Sequence, residues 1–108
     1  MEKVRYRFVY NRSRKLCVNG TALIQIEAYQ DGKRKYFSTN IYIKPKQWDY
    51  AREEIRNHPN AVGLNMMIYD ARNKLEAIEI ELWRNGYGVK LDRLVDLARQ
   101  RGYCKPER

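Results

Sequence analysis

The sequence predicts an α+β fold: a three-stranded antiparallel β-sheet packed on one long α-helix, followed by a short C-terminal helix. Polar and apolar residues alternate in three segments of the first 43 residues, as in strands that bury one face. From about residue 60 onward, apolar residues recur every three or four positions, as on one face of a helix. A chain of 108 residues is long enough for one such domain with a modest core.

The first strand is predicted at residues 3–10. Its core-facing residues are expected to be the apolar and aromatic set Val4, Tyr6, Phe8 and Tyr10. The opposite face would carry Lys3, Arg5, Arg7 and Val9. Residues 11–20 are polar and basic and end in Asn19-Gly20, which is typical of a hairpin loop.

The second and third strands are predicted at residues 21–29 and 33–43, joined by a tight turn at Asp31-Gly32. Asp and Gly tolerate the positive φ angles of a type I′ turn, so this pair indicates a short hairpin. The core-facing residues of the two strands are expected to be Ile24, Ile26, Ala28, Phe37 and Ile41. The outer face would present Leu23, Gln25, Glu27, Tyr29, Arg34, Tyr36 and Ser38. A one-residue slip of the third strand would exchange its two faces.

The segment after the third strand is predicted to be irregular. Lys44-Pro45 ends the strand, because proline cannot donate a hydrogen bond to a sheet. Residues 46–61 are predicted as a loop. Trp48 within it is expected to lie in the core, because its large apolar area favours burial.

A long helix is predicted from about Asn60, its N-cap, to Gly86. Its core face would contain Leu64, Met67, Ile68, Ala71, Leu75, Ile78 and Leu82, with Met66 also in the core. The solvated face would contain Asp70, Arg72, Asn73, Lys74, Glu76, Glu79 and Glu81. A short helix at 89–101 would bury Leu91, Leu94, Val95 and Ala98. We therefore expect one domain at residues 1–88, and a helix and linker at 89–108 that lead toward a further domain.

Positive charge is concentrated in the predicted sheet. The formal net charge is +9, and residues 1–46 contain 11 basic residues against three acidic ones. A basic surface on one side of a domain is typical of a protein that binds a polyanion. A basic surface that only favours solubility is the alternative.

The sequence contains no pattern typical of an enzyme, a metal site or a membrane span. The six glycines are scattered and form no phosphate loop, and the single histidine, His58, occupies a predicted loop. Cys17 and Cys104 are isolated and are expected to be reduced thiols without metal-ligand spacing. No run of about 18 apolar residues is present. We therefore expect a non-catalytic chain without cofactor or metal and without contact to a membrane.

The outer face of the sheet is the candidate site. Its polar residues Arg5, Arg7, Gln25, Glu27, Arg34, Tyr36 and Ser38 are suited to double-stranded DNA. In the major groove, Arg recognises guanine, Gln recognises adenine, and Glu accepts a hydrogen bond from cytosine N4. Contacts to phosphates are expected from the basic residues of the loop and the third strand, namely Arg12, Arg14, Lys15, Lys33 and Lys35.

The order of these elements resembles the N-terminal arm-type DNA-binding domain of tyrosine recombinases, the integrases of phages and conjugative transposons, above all the Bacteroides-type group. The resemblance covers roughly residues 3–86, and the segments that carry it are Val4–Tyr10, Asp31–Arg34, Phe37–Ile41, Lys44–Asp49 and the long helix. In that family the third strand commonly runs Phe-Ser-Thr-Gly-Ile before a Trp-Asp. Here Asn40 replaces the glycine, and Asn also tolerates unusual backbone angles.

The resemblance implies that the sheet enters the major groove of accessory arm-type DNA sites beside the crossover site. It implies a parent protein that is a bacterial, cytoplasmic, nucleoid-associated recombinase, which integrates the DNA of a mobile element and contacts other protomers through absent domains. The catalytic domain of that family, with its Arg, His and nucleophilic Tyr, lies downstream. None of the nine tyrosines here is therefore expected to be a nucleophile.

Two alternatives remain open from the sequence. An RNA-binding sheet would display aromatic residues for base stacking, here Tyr6, Tyr10, Tyr29, Tyr36 and Tyr42. The alternation disfavours it, because it turns Tyr6 and Tyr10 toward the core. A protein-interaction domain would instead use Ile80 and Trp83 of the long helix.

Overall fold

The computed structural model describes residues 3–86 and 90–101, and it confirms the predicted α+β fold. Strands β1 (Arg5–Tyr10), β2 (Ala22–Gln30) and β3 (Lys33–Ile43) form an antiparallel sheet in the order β1-β2-β3. A 3₁₀ turn at Pro45–Gln47 follows. The helices are α1 (Ala61–Arg84) and α2 (Leu91–Gln100).

The turn between β2 and β3 is the predicted tight hairpin. Asp31 and Gly32 adopt φ angles of +52° and +77°, and Gln30 pairs directly with Lys33. Positive φ at both central residues matches the twist of the flanking strands. The turn therefore determines the register in which β3 pairs with β2.

The β2–β3 ladder contains a bulge, in which residues 39 and 40 of β3 have no partner in β2. Asn40 adopts φ +61°, a left-handed angle that Asn tolerates better than most residues. The Thr39 hydroxyl donates a 2.7 Å hydrogen bond to the Ile24 carbonyl, which gives that β2 oxygen a partner. Because the insertion has two residues, Phe37 and Ile41 both remain on the core face, where both are buried.

Residues 46–61 are more ordered than predicted. Strand β4 (Trp48–Asp49) pairs antiparallel with β5 (Glu54–Ile55). Two-residue strands are too short to show alternation in a sequence, which is why the prediction of a plain loop was wrong. Trp48 is buried, as predicted, and its ring stacks on Tyr10 with a centroid distance of 6.0 Å.

Both helices cover the same face of the sheet and share one core with it. The predicted core-facing strand residues are buried, except that Tyr6 is only partly buried against the core. The two helices bury Ile68, Leu75, Ile78, Leu82, Leu91, Leu94, Val95 and Ala98, all of which were predicted. The Leu91 backbone N–H donates a 3.0 Å hydrogen bond to Gln30 Oε1, which joins the start of α2 to the end of β2. The predicted division between residues 88 and 89 lies outside the described residues, as do Cys104 and the predicted linker at 102–108.

Two predictions for α1 were wrong. Met66 and Met67 are exposed rather than in the core, and Glu79 is buried rather than solvated. At 3.6 residues per turn, Met66 lies opposite Leu75, whereas Glu79 lies one turn after Leu75 on the same face. Asn60 precedes α1 as predicted, but its side chain makes no capping hydrogen bond. Neither described helix is long and apolar enough to cross a membrane.

Candidate nucleic-acid interface

The outer face of the sheet, opposite the helices, carries the predicted polar residues. Strand pairing aligns them in three rows across β1, β2 and β3: Arg5–Tyr29–Arg34, Arg7–Glu27–Tyr36 and Val9–Gln25–Ser38. The faces predicted for the third strand are confirmed by this register. Arg34 therefore shares the outer face with Arg5 and Arg7.

Glu27 occupies the centre of this face and has three partners. Its Oε1 lies 3.2 Å from Arg7 Nε, and its Oε2 lies 3.8 Å from Arg34 Nε. The Tyr36 hydroxyl donates a 3.1 Å hydrogen bond to Oε2. Glu27 is only 9% exposed, whereas the side chains of Arg7 and Arg34 are 61% and 55% exposed. The face is therefore a buried carboxylate surrounded by exposed guanidinium groups.

The Tyr36 hydroxyl is held in its protonated form. Desolvation raises the pKa of Tyr36 above its ordinary value of 10.0, and the hydrogen bond and charge of Glu27 raise it further. Arg12 and Arg34 act in the opposite direction but do not reverse the shift. Tyr36 therefore donates to Glu27 at neutral pH.

Two arginines lie against tyrosine rings on this face. The Arg12 guanidinium carbon is 3.9 Å from the centroid of the Tyr36 ring, and that of Arg34 is 5.0 Å from the centroid of Tyr29. Cations at such distances are attracted by the negative face of an aromatic ring. Arg12 belongs to the loop between β1 and β2, so this contact places part of the loop against the sheet. Tyr36 lies in the same row as Glu27.

The other basic residues predicted to contact phosphates do not all lie on the outer face of the sheet. They lie in the loop between β1 and β2, beside the β2–β3 turn, and on the face of β3 that is turned toward the helices. Arg14 and Lys15 are exposed in the loop between β1 and β2, and Lys33 is exposed beside the β2–β3 turn. Lys35 pairs with Ala28, whose side chain is fully buried in the core. Because Ala28 faces the helices, Lys35 lies on the opposite face from Arg34, at the β3 edge.

Gln25 and Glu27 are less accessible than a direct base contact requires. Both belong to the outer face, but both are buried beneath its longer side chains. Gln25 lies beside the loop residues Asn11, Arg12 and Ser13, with which it lines a depression. A base edge would reach either residue only after the neighbouring side chains moved.

Tyr6 and Tyr10 face the core, as the alternation predicted. The Tyr6 hydroxyl donates to Glu79 Oε1 at 3.1 Å, and the Tyr10 hydroxyl donates to the Ile43 carbonyl at 2.7 Å. Burial raises the pKa of both hydroxyls. They are not available for base stacking, so of the five tyrosines considered for stacking, Tyr29, Tyr36 and the exposed Tyr42 lie on the outer side.

The outer edge of β1 is occupied by two carboxylates that sequence reasoning missed. Glu53 Oε1 accepts a 2.8 Å hydrogen bond from the Phe8 backbone N–H, and Glu79 Oε2 accepts one of 2.8 Å from Val4 N–H. Exposed edge donors invite pairing with a further strand, and these contacts remove two of them. The spacing of Glu79 from Leu75 was a signal for its burial, whereas no sequence pattern singles out Glu53.

Among residues 3–86 and 90–101, no group of three or more His, Cys, Asp or Glu side chains is arranged to hold a metal ion. His58 Nδ1 accepts a 2.9 Å hydrogen bond from the Asn60 backbone N–H, which gives it a structural contact in its loop.

A family model described as "Arm DNA-binding domain" matches residues 9–95. The match begins inside β1 and ends inside α2, so it covers more than half of the chain and includes most of the outer face. No curated protein and no solved structure matches the chain significantly.

Proposed function

Because the chain belongs to the arm DNA-binding domain family, and is thus a non-catalytic DNA-binding module, we propose that it binds duplex DNA through the outer face of its sheet. The observation that supports this most is the alignment of Arg5, Arg7 and Arg34 on the one sheet face that the helices leave uncovered. Three strands about 4.8 Å apart span about 10 Å, which suits a major groove about 12 Å wide.

In this proposal the exposed arginines of the face read base edges. Arg5, Arg7 and Arg34 would contact guanines, which is the commonest specific contact of arginine in the major groove. Ser38 and Tyr36 lie on the same face and would add hydroxyl contacts, while Gln25 would need the loop to move before it could pair with adenine.

Contacts to the DNA backbone would come from both ends of the face. Arg12, Arg14 and Lys15 lie in the loop at one end of the strands, and Lys33 lies at the β2–β3 turn. Lys35 would reach a phosphate only from the β3 edge, since it lies on the other face. Such contacts determine register and orientation and carry little sequence information.

We further propose that the module serves a tyrosine recombinase as its accessory, arm-site binding part. The order of strands and helices and the left-handed angle of Asn40 at the family's usual glycine position support this assignment. Assembly with other protomers would then depend on domains outside this chain. Association with the bacterial nucleoid, in the cytoplasm, is part of the same proposal.

The proposal is tested by titrating the purified chain into labelled duplexes at several salt concentrations. The probes are a mixed-sequence duplex and the tightest duplex enriched from a randomised library, with single-stranded RNA of equal length as comparison. Release of counterions predicts that log affinity for duplex falls linearly with log salt. No binding to duplex at low salt, or tighter binding to the RNA, would contradict the proposal.

The face is tested by single substitutions. Arg7→Ala and Arg34→Ala should each weaken binding to the enriched duplex by about 1–3 kcal/mol, as the loss of a base contact does. Arg84→Ala removes an exposed charge in the last turn of α1, a helix that packs on the other face of the sheet, and should have little effect. If neither outer-face variant binds more weakly than the Arg84 control, another surface binds DNA.

A further inference from the structure

The position of Glu27 is unusual for a surface that binds a polyanion. A negative charge at the centre of the face repels phosphates, and burial of a carboxylate is unfavourable unless partners compensate it. Glu27 has three such partners. Arg7 comes from β1, and Arg34 and Tyr36 come from β3. The cluster is therefore complete without DNA, and it places a carboxylate between two arginines.

The geometry of the two ion pairs suggests what this carboxylate does. Both contacts are made by Nε, the guanidinium nitrogen nearest the side-chain stem. Arginine carries five N–H donors in a rigid fork, and the Nη1 and Nη2 groups form its outer end. A carboxylate beside Nε attracts each guanidinium group at its stem end, while both arginine side chains remain more than half exposed. Bidentate recognition of guanine uses two such donors at once.

We propose that Glu27 is a positioning residue that determines sequence specificity: it holds Arg7 and Arg34 for base recognition without itself contacting DNA. The inference rests on the proposed function, because it assigns a role within the same face. Holding the two side chains before binding reduces the rotamer entropy lost on binding. The negative charge of Glu27 also repels the DNA backbone. It therefore weakens binding to any duplex that lacks guanines where Arg7 and Arg34 make contact. Glu27 thereby lowers general affinity and raises discrimination.

The experiment compares the wild-type chain with Glu27→Gln, which keeps the shape of the side chain and removes its charge. Each protein selects duplexes from a library with a randomised central segment, and its affinity is measured for the wild-type winner and for a mixed-sequence duplex. Wild type should enrich G·C pairs, two of which are those contacted by Arg7 and Arg34. In Glu27→Gln, the preference for the winner should fall by roughly tenfold, the value of one good bidentate contact, while affinity for the mixed duplex stays equal or rises.

The matched control is Asp70→Asn. It makes the same change of charge on the solvated side of α1, where Asp70 pairs with Lys74 at 3.3 Å. If the effect of Glu27→Gln were only one of net charge, both variants would lose discrimination equally. The proposal requires that Asp70→Asn keep the wild-type preference.

A measurement without DNA separates positioning from folding. The 15N relaxation of the arginine Nε–Hε groups reports how rigidly each guanidinium is held. Arg7 and Arg34 should become more mobile in Glu27→Gln, whereas Arg5, which lies on the same face, should not change. If the amide variant does not fold, Glu27→Asp withdraws the carboxylate by one methylene and should produce the same mobility and the same loss of discrimination.

The outcomes distinguish the two levels of the proposal. A wild-type chain that binds no duplex, or enriches no sequence, overturns the proposed function and with it the role of Glu27. A wild-type chain with a clear preference that Glu27→Gln retains in full overturns the role of Glu27 alone. A loss of preference confined to the Glu27 variants, together with mobile Arg7 and Arg34, supports it.

Discussion

The Arg12 guanidinium lies 3.9 Å from the centroid of the Tyr36 ring, which attaches the loop between β1 and β2 to the outer face of the sheet. The same tyrosine donates a hydrogen bond to Glu27, so loop, β2 and β3 meet at one side chain. The basic loop thus has a defined position relative to the arginines that we propose read bases.

We expect Arg12→Lys to weaken binding to duplex DNA although it keeps the positive charge. Lysine lacks the planar group that lies on the Tyr36 ring, and an exposed contact of this kind contributes about 0.5–1 kcal/mol. The measurement is the titration with the enriched duplex. Arg14→Lys in the same loop is the control, and equal effects of the two substitutions would mean that the Tyr36 contact has no role in binding.

Glu79→Ala should strongly destabilise the fold. Its carboxylate accepts hydrogen bonds from the Val4 N–H and the Tyr6 hydroxyl, and alanine would leave both without this acceptor. A buried polar group without a partner costs about 1–3 kcal/mol, so we expect a loss of about 2–4 kcal/mol in the free energy of unfolding. Urea denaturation measures it.

Glu76→Ala is the comparison for that prediction. Glu76 lies on the same helix, is partly exposed and pairs with Arg72 at 3.7 Å. Exposed pairs of this kind contribute little, so its removal should change stability by less than about 0.5 kcal/mol. Similar losses for the two glutamates would show that the buried contacts of Glu79 do not stabilise the fold.

The bulge in β3 leads to a prediction about backbone strain. Asn40 has φ +61°, an angle that glycine adopts freely and β-branched residues avoid. Asn40→Gly should therefore leave the free energy of unfolding nearly unchanged. Asn40→Val should lower the free energy of unfolding by about 1–2 kcal/mol. Urea denaturation measures both changes. Equal stability of the two variants would show that this angle is not maintained in solution.

Acid should remove a stabilising contribution of Asp49. Hydrogen bonds from the backbone N–H groups of Arg52 and Ala51, aided by the charge of Arg56, hold the pKa of Asp49 below its ordinary value of 3.8. A carboxyl whose pKa is lower in the folded state stabilises the fold above its unfolded pKa. That contribution is lost as the pH falls through the folded pKa.

The difference in Tm between wild type and Asp49→Asn should therefore be constant near neutral pH and shrink below about pH 4, near the ordinary pKa of aspartate. Thermal melts recorded from pH 7 to pH 2 measure this difference. A gap that remains constant over the whole range would exclude ionisation of Asp49 as its source.

Most of the fold could be predicted because it follows from short-range patterns. The hairpin at Asp31-Gly32 and the three strands agree with the structure to within two residues at each end. The short pair β4 and β5 was missed because it involves only four residues. Met66 and Met67 were predicted to lie in the core because they are apolar, and Glu79 was predicted to be solvated because it is charged. The structure shows the two methionines exposed and Glu79 buried.

The candidate site could be predicted as a surface but not as an arrangement of contacts. Alternation alone placed Arg7, Glu27 and Arg34 on one face, and the register confirmed it. That Glu27 is buried between the two arginines could not be read from the sequence, because it depends on the conformations of side chains from three strands. Nor could alternation show that Arg12 returns to Tyr36 from a loop without periodicity.

The sequence by itself determined which residues share a face, since strand and helix periods of two and 3.6 residues depend only on order along the chain. The tertiary structure alone decided which polar groups meet. Val4 and Glu79 lie 75 positions apart, and Phe8 and Glu53 lie 45 apart, yet each pair forms a 2.8 Å hydrogen bond. Such contacts depend on how the helix and the β4–β5 hairpin pack on the sheet, and packing brings together residues that no local pattern relates.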